Sequence, residues 1–140
     1  METTPEEELL NDITFMAIDH GMESIKDDAA PLIPFAIYFE NKGEKKIERF
    51  LTERLEDGPD KAKERIDSLC GSISRFAIAW DGYVTIEGKK WDAIIVESGS
   101  SDLDSGYLMC QRYERKGLFK KKNLPHGNPA LMEKPKSRLR

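Results

Sequence analysis

Histidine and cysteine are scarce in this sequence, with two of each in 140 residues. Cys70 and Cys110 lie far apart without metal-ligand spacing, so neither a metal site nor a disulfide framework is expected. Each sits among apolar neighbours, which predicts a buried, reduced thiol. No apolar run approaches the roughly 20 residues that a membrane-crossing helix needs. A phosphate loop, a dinucleotide fingerprint and a G-x-S-x-G elbow are all missing, as are internal repeats. No cofactor is expected. The opening stretch METTPEEELL is acidic. It lacks the basic start of a secretory signal, so the expected compartment is the cytoplasm, with no membrane partner.

Charge is plentiful instead. Charged residues make up 34% and hydrophobic residues 39% of the chain, the balance of a globular protein rather than a disordered one. The length suits one domain with a core that needs no disulfide or metal. The net charge of −4 hides an asymmetry. Residues 1–111 carry 12 Lys and Arg against 24 Asp and Glu, whereas residues 112–140 carry 10 against 2. An acidic body of −12 thus precedes a basic end of +8. That end is expected to fold back on its own body, to meet an acidic partner, or to stand in solvent.

TTPEEELL starts a helix: Thr4 can cap it, Pro5 suits the first turn, and Glu7 completes a capping-box pattern. Leu9, Ile13, Met16, Ala17 and His20 recur at helical spacing, and Phe15, Ile18, Met22 and Ile25 widen the apolar face. So broad a face must pack on a sheet or across a dimer. Gly21 is placed to end or loosen the helix, and KDDAAP reads as the loop after it. LIPFAIYFE reads as a strand, ENKG as a turn, and EKKIERFLTE as a more polar returning strand. Pro59 opens a second helix with Ala62, Ile66, Leu69, Cys70 and Ile73 on one face.

In FAIAWDGYVTIEGKKWDAIIVE, two turn dipeptides, Asp81-Gly82 and Glu87-Gly88, stand four residues apart. If both reverse the chain, the strand between them is only Tyr83–Ile86, too short to offset the cost of two turns. If only Glu87-Gly88 turns, residues 75–86 face 89–100 in one long hairpin. Val84 then opposes Trp91 and Trp80 opposes Ile95. The single turn is preferred, with a bulge at Gly82. WDAIIVES is apolar on both faces, the mark of a central strand. GYLMCQRYER is a last strand beyond a polar loop, SGSSDLDSG.

The expected fold is α+β: a five-stranded antiparallel sheet with two helices, in the order α-β-β-α-β-β-β. A single α+β domain is expected over residues 1–116, and a basic, proline-containing extended tail over 117–140. That order resembles the profilin-like architecture, including the Roadblock/longin group, over residues 5–115. The stretches DGYVTIEGKKWDAIIVESG and GYLMCQRY are similar to a set of small prokaryotic proteins of uncharacterised function. The resemblance implies no activity.

Candidate chemistry is thin. Asp81 with Glu87-Gly88-Lys89 matches the D…ExK pattern of metal-dependent nucleases in form, but the unit is also the hairpin turn. Asp102 and Asp104 lack the remaining ligands of an EF-hand. His20 reads as a structural histidine near an apolar face, and His126 falls in the tail. A pocket uniting His20, an acid and a thiol would point to an enzyme, and a flat apolar patch to an interface. Surplus apolar groups at Phe15, Ile18, Met22, Phe76 and Trp80 mark interface candidates, and a homodimer is the expected assembly. Arg115, Lys116, Lys120, Lys121 and Lys122, with Phe119 among them, are the candidates for nucleic acid. An acidic body opposes phosphate, so that partner is not favoured. The expected function is binding or scaffolding through a protein interface. A small hydrolase-like enzyme is the alternative, and a nucleic-acid-associated protein the third reading.

Overall fold

The computed structural model describes residues 3–27 and 31–140. Two helices and seven strands follow in the order α1 (Pro5–Ile25), β1 (Phe35–Glu40), β2 (Lys45–Arg49), α2 (Gly58–Ser68), β3 (Ile73–Ile86), β4 (Lys89–Ser100), β5 (Tyr107–Lys116), β6 (Lys122–Pro125) and β7 (Ala130–Glu133). They form an antiparallel sheet ordered β2-β1-β3-β4-β5-β6, with β7 also paired to β5. The class is α+β as expected, but five strands is too few. Asp28, Ala29 and Ala30 of the expected KDDAAP loop lie outside the described residues.

One reversal organises the sheet. Only Glu87 and Gly88 turn the chain, with φ of 51° and 78°, the left-handed pair that a two-residue hairpin requires. Pairing then runs without interruption from Ile86↔Lys89 to Arg75↔Ser100, with Gly82 opposite Ala93. The bulge expected at Gly82 is absent. Its bareness serves the cross-strand neighbour: a Cβ there would stand 2.8 Å from Ile95 Cδ1.

Alternation along these strands makes two apolar faces. On one, Leu10, Ile13, Ala17, Ile18 and Ile25 of α1 pack on Phe35, Ile37, Ala77, Ala79, Ile94 and Val96. Most of the apolar face of α1 is thereby buried within its own chain, while Leu9 and Phe15 at its margins stay exposed. Gly21 does not end the helix, which continues to Ile25. A Cβ at Gly21 would lie 3.1 Å from Ile94 Cγ2, so the glycine sets how closely the helix approaches β4. The Thr4 cap forms, its side chain accepting from the Glu7 amide at 3.2 Å. On the other face, Ala62 and Ile66 of α2 cover Ala36, Tyr38, Phe76 and Ile78. Cys110 is buried as expected, but Cys70 is exposed, because it lies in the turn beyond the end of α2.

The C-terminal stretch is bound to the body rather than extended. Between Tyr113↔Pro125 and Cys110↔Ala130, four residues of the last strand face two of β5. β6 and β7 are thus halves of one strand broken at His126–Pro129. The Gln111 side chain fills the break by donating to the carbonyls of Arg112 and His126 at 2.9 and 3.3 Å. His126 stacks on Trp91 with ring centroids 4.3 Å apart. Asn123 ties β6 to the end of α1: its Nδ2 donates to Ile25 O at 2.6 Å and its amide to Lys26 O at 2.8 Å. These are carbonyls that a helix end leaves without intrahelical partners. Leu139 enters the α2-side core, and Arg138 donates to Glu97 at 2.6 Å and Asp67 at 3.2 Å. Folding back on an acidic body is the reading of the +8 segment that these contacts bear out. Among the described residues, no helix is long and apolar enough to cross a membrane.

Gly88→Val should cost about 2–3 kcal/mol, because a β-branched residue is forced to positive φ. Gly82→Ala should cost about 1 kcal/mol, since the flexible Ile95 side chain can yield. Leu139→Ala should cost about 2–3 kcal/mol as a core truncation. Chemical denaturation measures all three.

Candidate functional site

The β3–β4 hairpin outruns its neighbour on the β1 side. β1 ends its pairing at Phe35↔Ala79, so Gly82–Ile86 of β3 has no strand beside it there. A cleft of about 730 Å³ opens along this overhang. Pro31, Leu32 and Pro34 bound it on one side, and Leu55, Pro59 and Lys63 on another. Trp80, Tyr83, Tyr113 and Asp81 form its floor and wall.

The polar centre of the cleft is Asp81. Its position on β3 puts it on the α1 face of the sheet, beyond the reach of the helix itself. Tyr113 Oη donates to its Oδ1 at 2.7 Å, and the Leu32 amide donates to its Oδ2 at 3.0 Å. Burial raises the carboxyl above its ordinary value, more than the two donors lower it, and Asp92 nearby adds to the rise. Burial and the Asp81 carboxylate push the Tyr113 phenol far upward as well. Tyr113 is therefore a fixed donor. Two cations cover aromatic rings at the rim, Lys63 over Trp80 at 5.0 Å and Lys90 over Tyr83 at 4.1 Å. Tyr83 is nonetheless 65% exposed.

The interface candidates scatter. Ile18 and Phe76 are core residues, 2% and 0% exposed. Phe15 and Met22 line a shallow groove between α1 and Leu124–Pro125 of β6. Only Trp80 belongs to the cleft. His20 packs edge-on against Phe35 at 4.8 Å, where burial, then Arg49 and Lys45, lower its pKa. Cys110 lies on the opposite face of the sheet, its thiol pushed up by burial, and Cys70 lies beyond α2. His20 and the thiols are thus not brought together. The Glu87-Gly88 turn sits at the hairpin tip, while Asp81 pairs with Ile94 inside the sheet. Asp104 is engaged by Arg140 at 3.0 Å. Among the described residues, no group of three His, Cys, Asp or Glu stands as a metal cage. The basic candidates Arg115, Lys116, Lys120, Lys121 and Lys122 gather at the β5–β6 connection, and Arg115 also borders the cleft.

Sequence reasoning missed the cleft because it arises from unequal strand lengths, which a single strand's pattern does not express. The one available signal was Asp81, the one carboxylate in a strand whose other charged residue, Arg75, stands near its start. Comparison with family models, curated proteins and solved structures finds no match to this chain. None of these comparisons identifies a profilin-like fold.

Asp81 carries a testable pH signature. The folded carboxyl holds its proton more tightly than the unfolded one, whose ordinary value is 3.8. Its contribution to stability is therefore full below that value and is lost as pH rises through the raised folded value. Asp81→Asn should remove this downward slope and leave stability near neutral pH unchanged or higher. Tyr113→Phe, which strips a donor from a half-buried carboxylate, should cost about 1–2 kcal/mol at neutral pH. Denaturation midpoints between acid and neutral pH measure both.

Proposed function

We propose that the protein is a protein-interaction module that works as a homodimer, two copies pairing edge to edge along Gly82–Ile86 of β3. The observation that carries this reading is the overhang: five successive residues of a long strand with no paired strand on one side. An open edge is a template for another strand, and natural sheets guard their edges with charge, proline or irregularity. The other edges of this sheet are guarded. β2 reads Lys-Lys-Ile-Glu-Arg, and the last strand is short, broken and carries Lys122 and Pro125. Gly82–Ile86 reads Gly-Tyr-Val-Thr-Ile, uncharged and rich in strand formers.

A second copy suits the edge by symmetry. Antiparallel pairing about a two-fold axis satisfies both edges at once, and such isologous contacts are the commonest way chains associate. The cleft walls carry charges of both signs, Asp81, Asp92 and Glu56 against Lys63 and Arg115. Such a surface can complement itself. The reason for a dimer therefore moves from α1, most of whose apolar face is occupied, to the β3 overhang.

Sedimentation of the intact chain, mass 16.0 kDa, tests the reading. The expected result is a concentration-dependent dimer. The double variant Tyr83→Lys, Thr85→Lys places exposed lysines on the edge. It should weaken association at least about tenfold through like-charge contact across the axis, with stability little changed. A single monomeric species at the highest soluble concentration would overturn the proposal, as would a dimer that the variant leaves intact. Monomers that instead capture an extended peptide along the same edge would assign it to a different partner.

A further inference from the structure

We propose that the loop 117–121, between β5 and β6, is a peripheral docking tip for the surface of an anionic lipid bilayer. The inference starts from two side chains. Leu118 is 94% exposed and Phe119 is 100% exposed, the most exposed large apolar residues among those described. Single exposed leucines are ordinary on protein surfaces, whereas two adjacent large apolar groups with no packing partner at a loop tip are not.

The backbone holds them there. β5 and β6 pair as far as Lys116↔Lys122, which leaves a five-residue connection. Gly117 opens it at φ 137°, and a Cβ at that position would come within 2.3 Å of Lys120 O. Only glycine fits that closure, so the loop is a tight structure.

Cations surround the tip. Arg115, Lys116, Lys120, Lys121 and Lys122 fall within eight consecutive positions. Two of them make surface ion pairs, Lys116 with Glu114 at 3.1 Å and Lys122 with Asp27 at 3.7 Å. Such exposed pairs hold weakly and can be exchanged for another anion. Lys120 and Lys121 flank a polar hollow beside Arg115 and Asp27. The result is an apolar point inside a cationic collar, which matches the layering of an anionic membrane surface. Headgroup phosphates and carboxylates meet the collar, and the acyl boundary receives the tip. Each cation close to such a surface strengthens binding by roughly a factor of five.

Nucleic acid shares the phosphate chemistry but fits the tip less well. Single-strand binding uses aromatic faces on which bases stack; Phe119 offers one such face, but the adjacent Leu118, almost as exposed, has no part in stacking. The acidic body, net −12 over residues 1–111, repels either polyanion, so charge alone favours neither. The apolar tip decides between them.

Co-sedimentation of the full chain with vesicles tests the proposal. The expected result is binding to vesicles of phosphatidylcholine containing phosphatidylserine, with much weaker binding to phosphatidylcholine alone, and with affinity falling as salt rises. Leu118→Ser with Phe119→Ser should reduce binding at least about tenfold, and Lys120→Gln with Lys121→Gln by a similar factor. All four side chains are exposed, so unchanged denaturation midpoints are expected and confirm that the variants fold. Phe119→Trp should add a blue-shifted emission component on the anionic vesicles that the wild-type chain lacks. Failure of the wild-type chain to bind phosphatidylserine vesicles at low salt would overturn the proposal. So would binding insensitive to the Leu118 and Phe119 changes. Tight, salt-sensitive binding of a generic duplex or single strand without vesicle binding would assign the cations to nucleic acid and overturn it equally.

Discussion

The reversal at Glu87 and Gly88 is the constraint on which the rest of the molecule depends. It sets the pairing of β3 with β4 over twelve residue pairs. Side chains alternate with a period of two, so register decides which residues meet each helix. In the observed register Ala77, Ala79, Ile94 and Val96 form the floor under α1, and Phe76 and Ile78 the floor under α2. A slip of one residue in β4 would carry Glu97 under α1 and remove Ile94 and Val96 from it. The two cores, the glycine contact at Gly21 and the seat of Asp81 all presuppose this one turn.

The same hairpin explains where the open surface lies. β3 has fourteen residues and β1 only six, so the sheet is complete at one end and stepped at the other. Helices and the C-terminal stretch cover the complete end. At the step, a carboxylate, two tyrosines and a tryptophan surround unpaired backbone. A half-buried Asp81 is costly there and is tolerated because Tyr113 and the Leu32 amide meet both of its oxygens.

Local pattern made the hairpin, both helices and strands β1 to β5 legible, because each has a strong period or a turn dipeptide. It failed where partners are remote. The apolar breadth of α1 suggested a second subunit, yet its own sheet covers most of that face, and one helix's sequence does not say what lies opposite. Gly21 resembled a stop and proved to be a contact point. The last strand was hidden by its cations, by three prolines and by the break at His126–Pro129, which interrupts alternation after four residues. Leu139 gave no signal, since one leucine between two arginines has no periodicity. Of the cleft, Trp80 and Arg115 were named beforehand as site residues, in other roles, and Asp81 only within the D…ExK pattern. The others acquire meaning when strand lengths are compared in three dimensions.

The hydrogen bonds from Asn123 to the end of α1 bear on the order in which the molecule assembles. They join positions 98 residues apart, so the chain between them must be gathered before they can form. Closing so large a loop is entropically unfavourable until the intervening hairpins have shortened its effective span. The helix can be nucleated at Thr4 by residues adjacent in sequence, but its last turn waits for the sheet. α1 therefore consolidates from its start toward its end, with the sixth strand acting as the late clasp.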